Sequence, residues 1–274
     1  MIVDADLADA RRRLGELIAD AGRTVFFTGA GISTESGIDD FRSPGGVWSR
    51  MTPIQFSDFL ADEDVRREDW RRRFRFRHEF ERAQPNVAHV VMGQLVTKGR
   101  ALAIVTQNID NLHQRAGVPG TRVIELHGNG TTAACLDCNA PYDLDDLEVE
   151  FERTAEPRAC DACGGLVKAS VISFGQPMPL DAVRQAQRAC EACDLMVVVG
   201  SSLVVQPAAT LPLIARQAGA PLVIVNRDPT PLDGVADLLV RGGIGDAFAA
   251  VGDHIGASVA SGNPGSEIAS RSTH

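Results

Sequence analysis

Positive charge is in deficit. The chain carries 27 lysines and arginines against 36 acids, a formal charge of −9, which opposes nonspecific attraction to nucleic acid or to an anionic bilayer. A polyanionic partner would need a local basic patch. Long apolar runs are also lacking: the longest uncharged stretch, Leu195 to Ala215, is broken by Gln206, Pro207 and Pro212, which excludes it as a membrane span. The opening Met-Ile-Val-Asp-Ala-Asp and Arg11 to Arg13 place charge where a secretory signal holds its apolar region, so a cytoplasmic location is expected. Aromatic residues are only 5%, with a single tyrosine. No internal repeat is found.

What is present is a composition of 44% hydrophobic and 23% charged residues, which excludes wholesale disorder. A length of 274 residues suits one large domain with a satellite. Residues 4–21 carry Leu7, Ala10, Leu14, Leu17 and Ile18 at helical spacing. β-type runs at 24–27, 101–105, 122–126, 167–172, 195–199, 222–225 and 236–240 alternate with helical patterns at 180–193, 207–218 and 246–255. This predicts an α/β fold, doubly wound, with a mostly parallel Rossmann-like sheet covered by helices on both faces. Residues 131–166 break the rhythm with four cysteines, acids and little apolar periodicity. The expected division is therefore 1–130 with 167–255 as the main domain, 131–166 as an inserted zinc-binding lobe, and 256–274 as a disordered tail.

All six cysteines fall in C-x-x-C pairs, Cys135/Cys138, Cys160/Cys163 and Cys190/Cys193, which in a reducing compartment argues for metal before disulfides. The first two pairs approximate the paired-knuckle spacing of a tetrahedral Zn²⁺ site. Four thiolates leave no open position, so the metal is expected to be structural. Cys190 and Cys193 sit in a helical pattern before an apolar strand and read as small core-facing residues.

The β-type run 24–27 ends in Thr28-Gly29-Ala30-Gly31, where backbone can approach a phosphate closely. Thr34 stands where a dinucleotide fingerprint has its third glycine, which weakens a dehydrogenase reading. Gln107, Asn108 and Asp110 follow an apolar strand and are expected at the carboxyl edge of the sheet, where open α/β folds bind ligands; their amides and carboxylate suit a carboxamide. His127 ends another strand and is a candidate general base.

The run from Gly29 through Ser33-Thr34-Glu35-Ser36-Gly37-Ile38-Asp39-Asp40-Phe41-Arg42-Ser43 resembles the signature of the sirtuins, NAD-dependent protein deacylases. Thr106–His113, Glu125-Leu126-His127-Gly128, Gly200–Pro207 and Val225-Asn226-Arg227 agree in order, so the resemblance covers roughly residues 10–250. It implies NAD as co-substrate and structural Zn²⁺. By the same resemblance, the acyl oxygen of a substrate lysine is expected to attack the ribose carbon bearing nicotinamide, releasing nicotinamide and forming an alkylimidate; His127 deprotonates a ribose hydroxyl that attacks this intermediate, and water yields free lysine and O-acyl-ADP-ribose. The resemblance assigns His127 and Asn108 to catalysis. Gly29, Ala30, Gly31, Phe41 and Arg42 fall in the cofactor loop, and Gln107, Asn108, Ile109 and Asp110 lie around nicotinamide. Gly200, Ser201 and Ser202 meet phosphate or ribose, and Asn226 with Arg227 the adenosine side. Ile172, Phe174 and Gly175 resemble the edge that pairs with the backbone of an acyl-lysine protein or peptide. Nucleic acid and membrane are not expected partners.

Two positions depart from the signature. Asp39 replaces a proline in the cofactor loop, and Asn111 replaces a glycine, a substitution expected to keep a positive φ while crowding the nicotinamide or acyl pocket. The arginine-rich stretch 66–82 reads as a helix with a solvated basic face and inward aromatics, able also to meet an acidic protein or anionic acyl group. Sirtuins that prefer dicarboxylic acyl chains carry a Tyr-x-x-Arg pair there; the only tyrosine of this chain is Tyr142. ADP-ribosyl transfer or NAD hydrolysis on the same scaffold, and a non-catalytic NAD-sensing module, are the competing readings.

Overall fold

The computed structural model describes residues 6–256; the expected tail lies, after Gly256, outside the described residues. In chain order the strands are β1 (Thr24–Thr28), β2 (Ala101–Thr106), β3 (Val123–Glu125), β4 (Gly128–Cys135), β5 (Pro141–Tyr142), β6 (Val167–Val171), β7 (Leu195–Val199), β8 (Leu222–Val225) and β9 (Leu238–Val240). The α-helices are α1 (Leu7–Asp20), α2 (Phe56–Ala61), α3 (Glu63–Arg82), α4 (Val87–Thr97), α5 (Leu112–Arg115), α6 (Leu144–Thr154), α7 (Leu180–Ala192), α8 (Leu211–Gln217) and α9 (Ile244–His254).

Six strands form one sheet in the order β3-β2-β1-β7-β8-β9, every pairing parallel. Its central strands β1 and β7 are buried along their whole length because helices cover both faces. Successive side chains of β1 point to opposite sides. Phe26 joins Leu14, Met92 and Phe248 from α1, α4 and α9, while Val25 and Phe27 join Ala186, Cys190, Leu211 and Ala215 from α7 and α8. Cys190 and Cys193 are buried in that second layer, and burial pushes their thiols up to about 12 and about 11. They are core residues, as their helical spacing indicates.

The second sheet, β5-β4-β6, is antiparallel. Here the structure departs from the expected rhythm. The run 167–172 belongs to this small sheet, with Ala169 opposite Ala133 and Val167 opposite Cys135. A short apolar run states burial without naming its pairing partner. The acidic stretch after Asp143 is also helical: α6 turns Leu144, Leu147 and Phe151 inward, and the Asp143 carboxylate accepts from the N–H groups of Asp145 and Asp146. These apolar residues meet Val167, Ala169 and Val171 of β6 and the Trp70 and Phe74 rings of α3. The arginine-rich helix thus supplies the aromatic floor of the small lobe.

Candidate active site

The switch in strand order lies between β1 and β7, and the loops leaving their carboxyl ends are Gly29-Ala30-Gly31 and Gly200-Ser201-Ser202. Ligands of open α/β sheets bind at this place. The two loops touch. A Cβ on Gly31 would lie 2.8 Å from the Gly200 oxygen, and one on Gly200, whose φ is +63°, would lie 2.3 Å from the Ile32 nitrogen. Only glycine permits this contact, in which the Gly31 N–H donates to the Gly200 oxygen at 2.9 Å. The Gln107 side chain donates to Ser201 Oγ at 2.8 Å and ties the end of β2 to the same loop.

Next to this crossing, Ser33 Oγ donates to Asp110 Oδ2 at 2.7 Å and accepts from Asn108 Nδ2 at 3.2 Å. Asp110 Oδ1 takes the Leu112 N–H at 3.0 Å. Burial raises the Asp110 carboxyl above its ordinary value, against the pull of the Leu112 and Ser33 hydrogen bonds. Asn111 holds φ at +62°, the conformation a glycine would give. Unlike Ile109 and Asp110 it is not part of the cavity wall.

His127 is half-buried, and its Nδ1 lies 3.0 Å from the Gln107 carbonyl oxygen. Burial holds the ring below the ordinary imidazole value, outweighing the carbonyl's upward pull, and Arg42 lowers it further. The loop carrying Arg42 is folded over itself. Asp40 accepts from the Arg42 and Ser43 N–H groups and from Ser43 Oγ at 2.6 Å. Burial favours its neutral form, but the Ser43 and Arg42 hydrogen bonds hold the carboxyl below its usual value. The Arg42 guanidinium sits 4.0 Å from the Trp48 ring centre, and Trp48 packs on Phe41 at 5.4 Å and Phe174 at 5.3 Å. Asp39, the residue in place of proline, pairs with Arg50 across the loop.

Every residue assigned above to catalysis, cofactor or substrate lines one cavity of about 1220 Å³. Sequence reasoning missed others on the same wall. Ser33 links Asn108 to Asp110, Phe76 and Phe80 of α3 line the cavity from the small lobe, and Gly242-Gly243-Ile244 follow β9. That last segment repeats the strand–glycine–helix pattern of residues 28–31, and this signal could have found it. Phe174 accepts the Phe56 N–H at 2.8 Å through its carbonyl, so one side of the 172–175 edge already pairs with the chain.

The four sulfurs of Cys135, Cys138, Cys160 and Cys163 lie within 4.8 Å of one another, with closest approaches of 3.5 and 3.6 Å. A tetrahedron with ~2.3 Å metal–sulfur bonds has edges of about 3.8 Å. The donor set fits Zn²⁺. The Asp137 N–H points at Cys135 Sγ at 3.4 Å, and the Gly165 backbone comes so near that a Cβ there would lie 3.1 Å from the same sulfur and 2.1 Å from Asp137 Oδ2.

A glycine crossing at the switch point, carboxamide partners beside it and an oriented imidazole define a dinucleotide-dependent α/β enzyme with a metal-held lobe. The Sir2 family model matches residues 29–207. The chain is 49% identical over 247 residues to an NAD-dependent protein deacetylase of Rhodopseudomonas palustris, covering 90% of this chain and 98% of the relative. It is 40% identical to NAD-dependent protein deacylase 2 of Archaeoglobus fulgidus over 88% of this chain and 94% of that one. Among solved structures, a Sir2 complex with a p53 peptide and NAD⁺ superposes with a TM-score of 0.77 at 38% identity, covering 90% of this chain and 98% of the other. Sir2Tm bound to a propionylated peptide gives 0.79 at 38% identity, with 90% and 99% covered. The chain belongs to the Sir2 family.

Proposed function

We propose that the protein is an NAD-dependent protein lysine deacylase that moves the acyl group from lysine to ADP-ribose and releases nicotinamide. One observation carries this: the glycine crossing, the Asn108–Ser33–Asp110 cluster and His127 line the same cavity. NAD supplies an electrophilic ribose carbon and a leaving nicotinamide. Asn108 and Asp110 present an amide and a carboxylate that match the donor and acceptors of a carboxamide. A carbonyl oxygen only accepts, so His127 carries its proton on Nδ1 and turns a basic Nε2 to the cavity, where it takes the proton of a ribose hydroxyl. The 172–175 edge, with Gly175 at its end, holds the backbone of the acyl-lysine peptide. Zn²⁺ held by the four cysteines organises the lobe and has no open position for chemistry.

The division into a nucleotide-binding domain and a metal lobe follows the two sheets, and we place the boundary so that β4, β6 and α3 go with the lobe. Among the described residues no helix is long and apolar enough to cross a membrane; a cytoplasmic location accords with the paired thiols.

The test is mass spectrometry of the products from NAD and a panel of acetyl-, longer acyl- and succinyl-lysine peptides. Equal amounts of nicotinamide and O-acyl-ADP-ribose are expected. Free ADP-ribose formed without peptide deacylation would show NAD hydrolysis instead.

A further inference from the structure

The arginines of α3 have no part in the reaction described so far. Residues 68, 72 and 75 fall on one face of that helix at helical spacing, and there they wall a second cavity, of about 570 Å³. Arg50 closes it from the far side of the cofactor loop, with Trp48 and Met51 between.

The charges around it do not balance. Glu68 is shared, 2.7 Å from Arg72 and 3.7 Å from Arg71. Arg50 is matched by Asp39. Arg75 touches only the Met51 sulfur at 3.7 Å and the Phe76 ring at 5.5 Å, and no carboxylate among the described residues comes within ion-pair distance of it. Four guanidiniums therefore meet two carboxylates on a chain whose net charge is −9.

Arg72 is held in place, donating to the Thr52 carbonyl oxygen at 2.7 Å as well as to Glu68. The cavity adjoins the main one, since Trp48, Met51, Thr52 and Arg72 line both. Trp48 also packs on Phe174 of the edge assigned to the peptide backbone. An extended peptide advances ~3.3 Å per residue, so side chains flanking an acyl-lysine on that edge pass close to Trp48 and the arginines beyond it.

We infer that Arg75, with Arg50 and Arg72, forms an anion subsite that receives the carboxylate of an acidic side chain flanking the acyl-lysine of the protein substrate. The site selects among acyl-lysines by their neighbours and takes no part in bond making. This rests on the deacylase reading.

The test compares acyl-lysine peptides that differ at one flanking residue, Glu, Gln or Lys, scanned over positions on both sides, with the wild type, Arg75→Gln and Arg75→Glu. In the wild type kcat/KM should favour Glu over Gln by about three- to ten-fold at one position, and the preference should shrink with added salt. Arg75→Gln should erase it and Arg75→Glu should reverse it toward Lys, with turnover of the Gln peptide and the KM for NAD unchanged in both. A wild type indifferent to Glu at every position overturns the inference, as does a preference that survives Arg75→Glu. A phosphoserine peptide in place of Glu reports whether the site reads carboxylate or phosphate; a gain from phosphoserine with none from Glu overturns the carboxylate assignment. So does an Arg75-dependent gain confined to acyl chains that end in a carboxylate. Failure of the Gln peptide to be deacylated by the wild type would instead overturn the deacylase reading, and the subsite with it.

Discussion

His127 Nδ1 lies 3.0 Å from the main-chain oxygen of Gln107, and this contact fixes which nitrogen of the ring can act as base. The carbonyl only accepts, so Nδ1 donates and Nε2 keeps its lone pair. His127→Ala should lower deacylation by about 10²–10⁴-fold while NAD affinity, measured by calorimetry, stays nearly the same. Wild-type turnover in that variant would remove His127 from the mechanism.

The same ring sets a pH dependence. Burial and Arg42 hold its pKa below the ordinary 6.5, so the neutral, basic form persists below that pH. The acid limb of kcat/KM should therefore fall below pH 6.5. In Arg42→Gln, which removes a downward pull, the limb should move to higher pH. A limb at or above pH 6.5 in the wild type would contradict the environment described.

A different imidazole pair bears on stability. His89 and His113 are both buried, with ring centres 4.9 Å apart, and burial lowers both pKa values, His89 to about 3. The unfolded chain binds protons below about pH 6.5 where the folded one does not. Their burial is thus tolerated above that pH and destabilises progressively as pH falls from 6.5 toward 3. Denaturant midpoints at pH 7.5, 6 and 5 should decline in order. His113→Gln should lessen the decline, and an unchanged slope would refute its origin in this pair.

Asn111 shows how much a sequence can reveal. Its place in a run that resembles a glycine-containing signature predicts a positive φ, and the backbone adopts +62°. Asn111→Gly should be nearly neutral, and Asn111→Val should cost ~1–2 kcal/mol because a β-branched side chain is strained there. Chemical denaturation tests this. What the sequence could not reveal was direction: whether Asn111 faced the cavity depended on packing by other segments. The same limit applies to β6, whose apolar alternation is equally compatible with either sheet, and to Trp70 and Phe74, whose inward turn was legible but whose destination, the core of the metal lobe, was not. The site residues were more legible because they fall in contiguous runs at strand ends. Ile244 was missed because its glycine pattern stands alone after β9.

The metal should matter to catalysis at a distance. Cys135 and Cys160 are buried among Val167, Leu147 and Phe151, which pack on Trp70 and Phe74 of α3. That helix carries Phe76 and Phe80 to the cavity wall. Removing Zn²⁺ leaves four thiolates to repel or protonate and takes away the link that holds β4 to the 160–163 turn, so the lobe should loosen and α3 with it. Dialysis against a strong chelator should release one zinc per chain, abolish deacylation and expose the small lobe to proteolysis near residues 136–166, while the six-stranded sheet keeps its protection against hydrogen exchange. Cys138→Ser should act in the same direction. Full activity in metal-free protein would show that α3 is held by its apolar contacts alone.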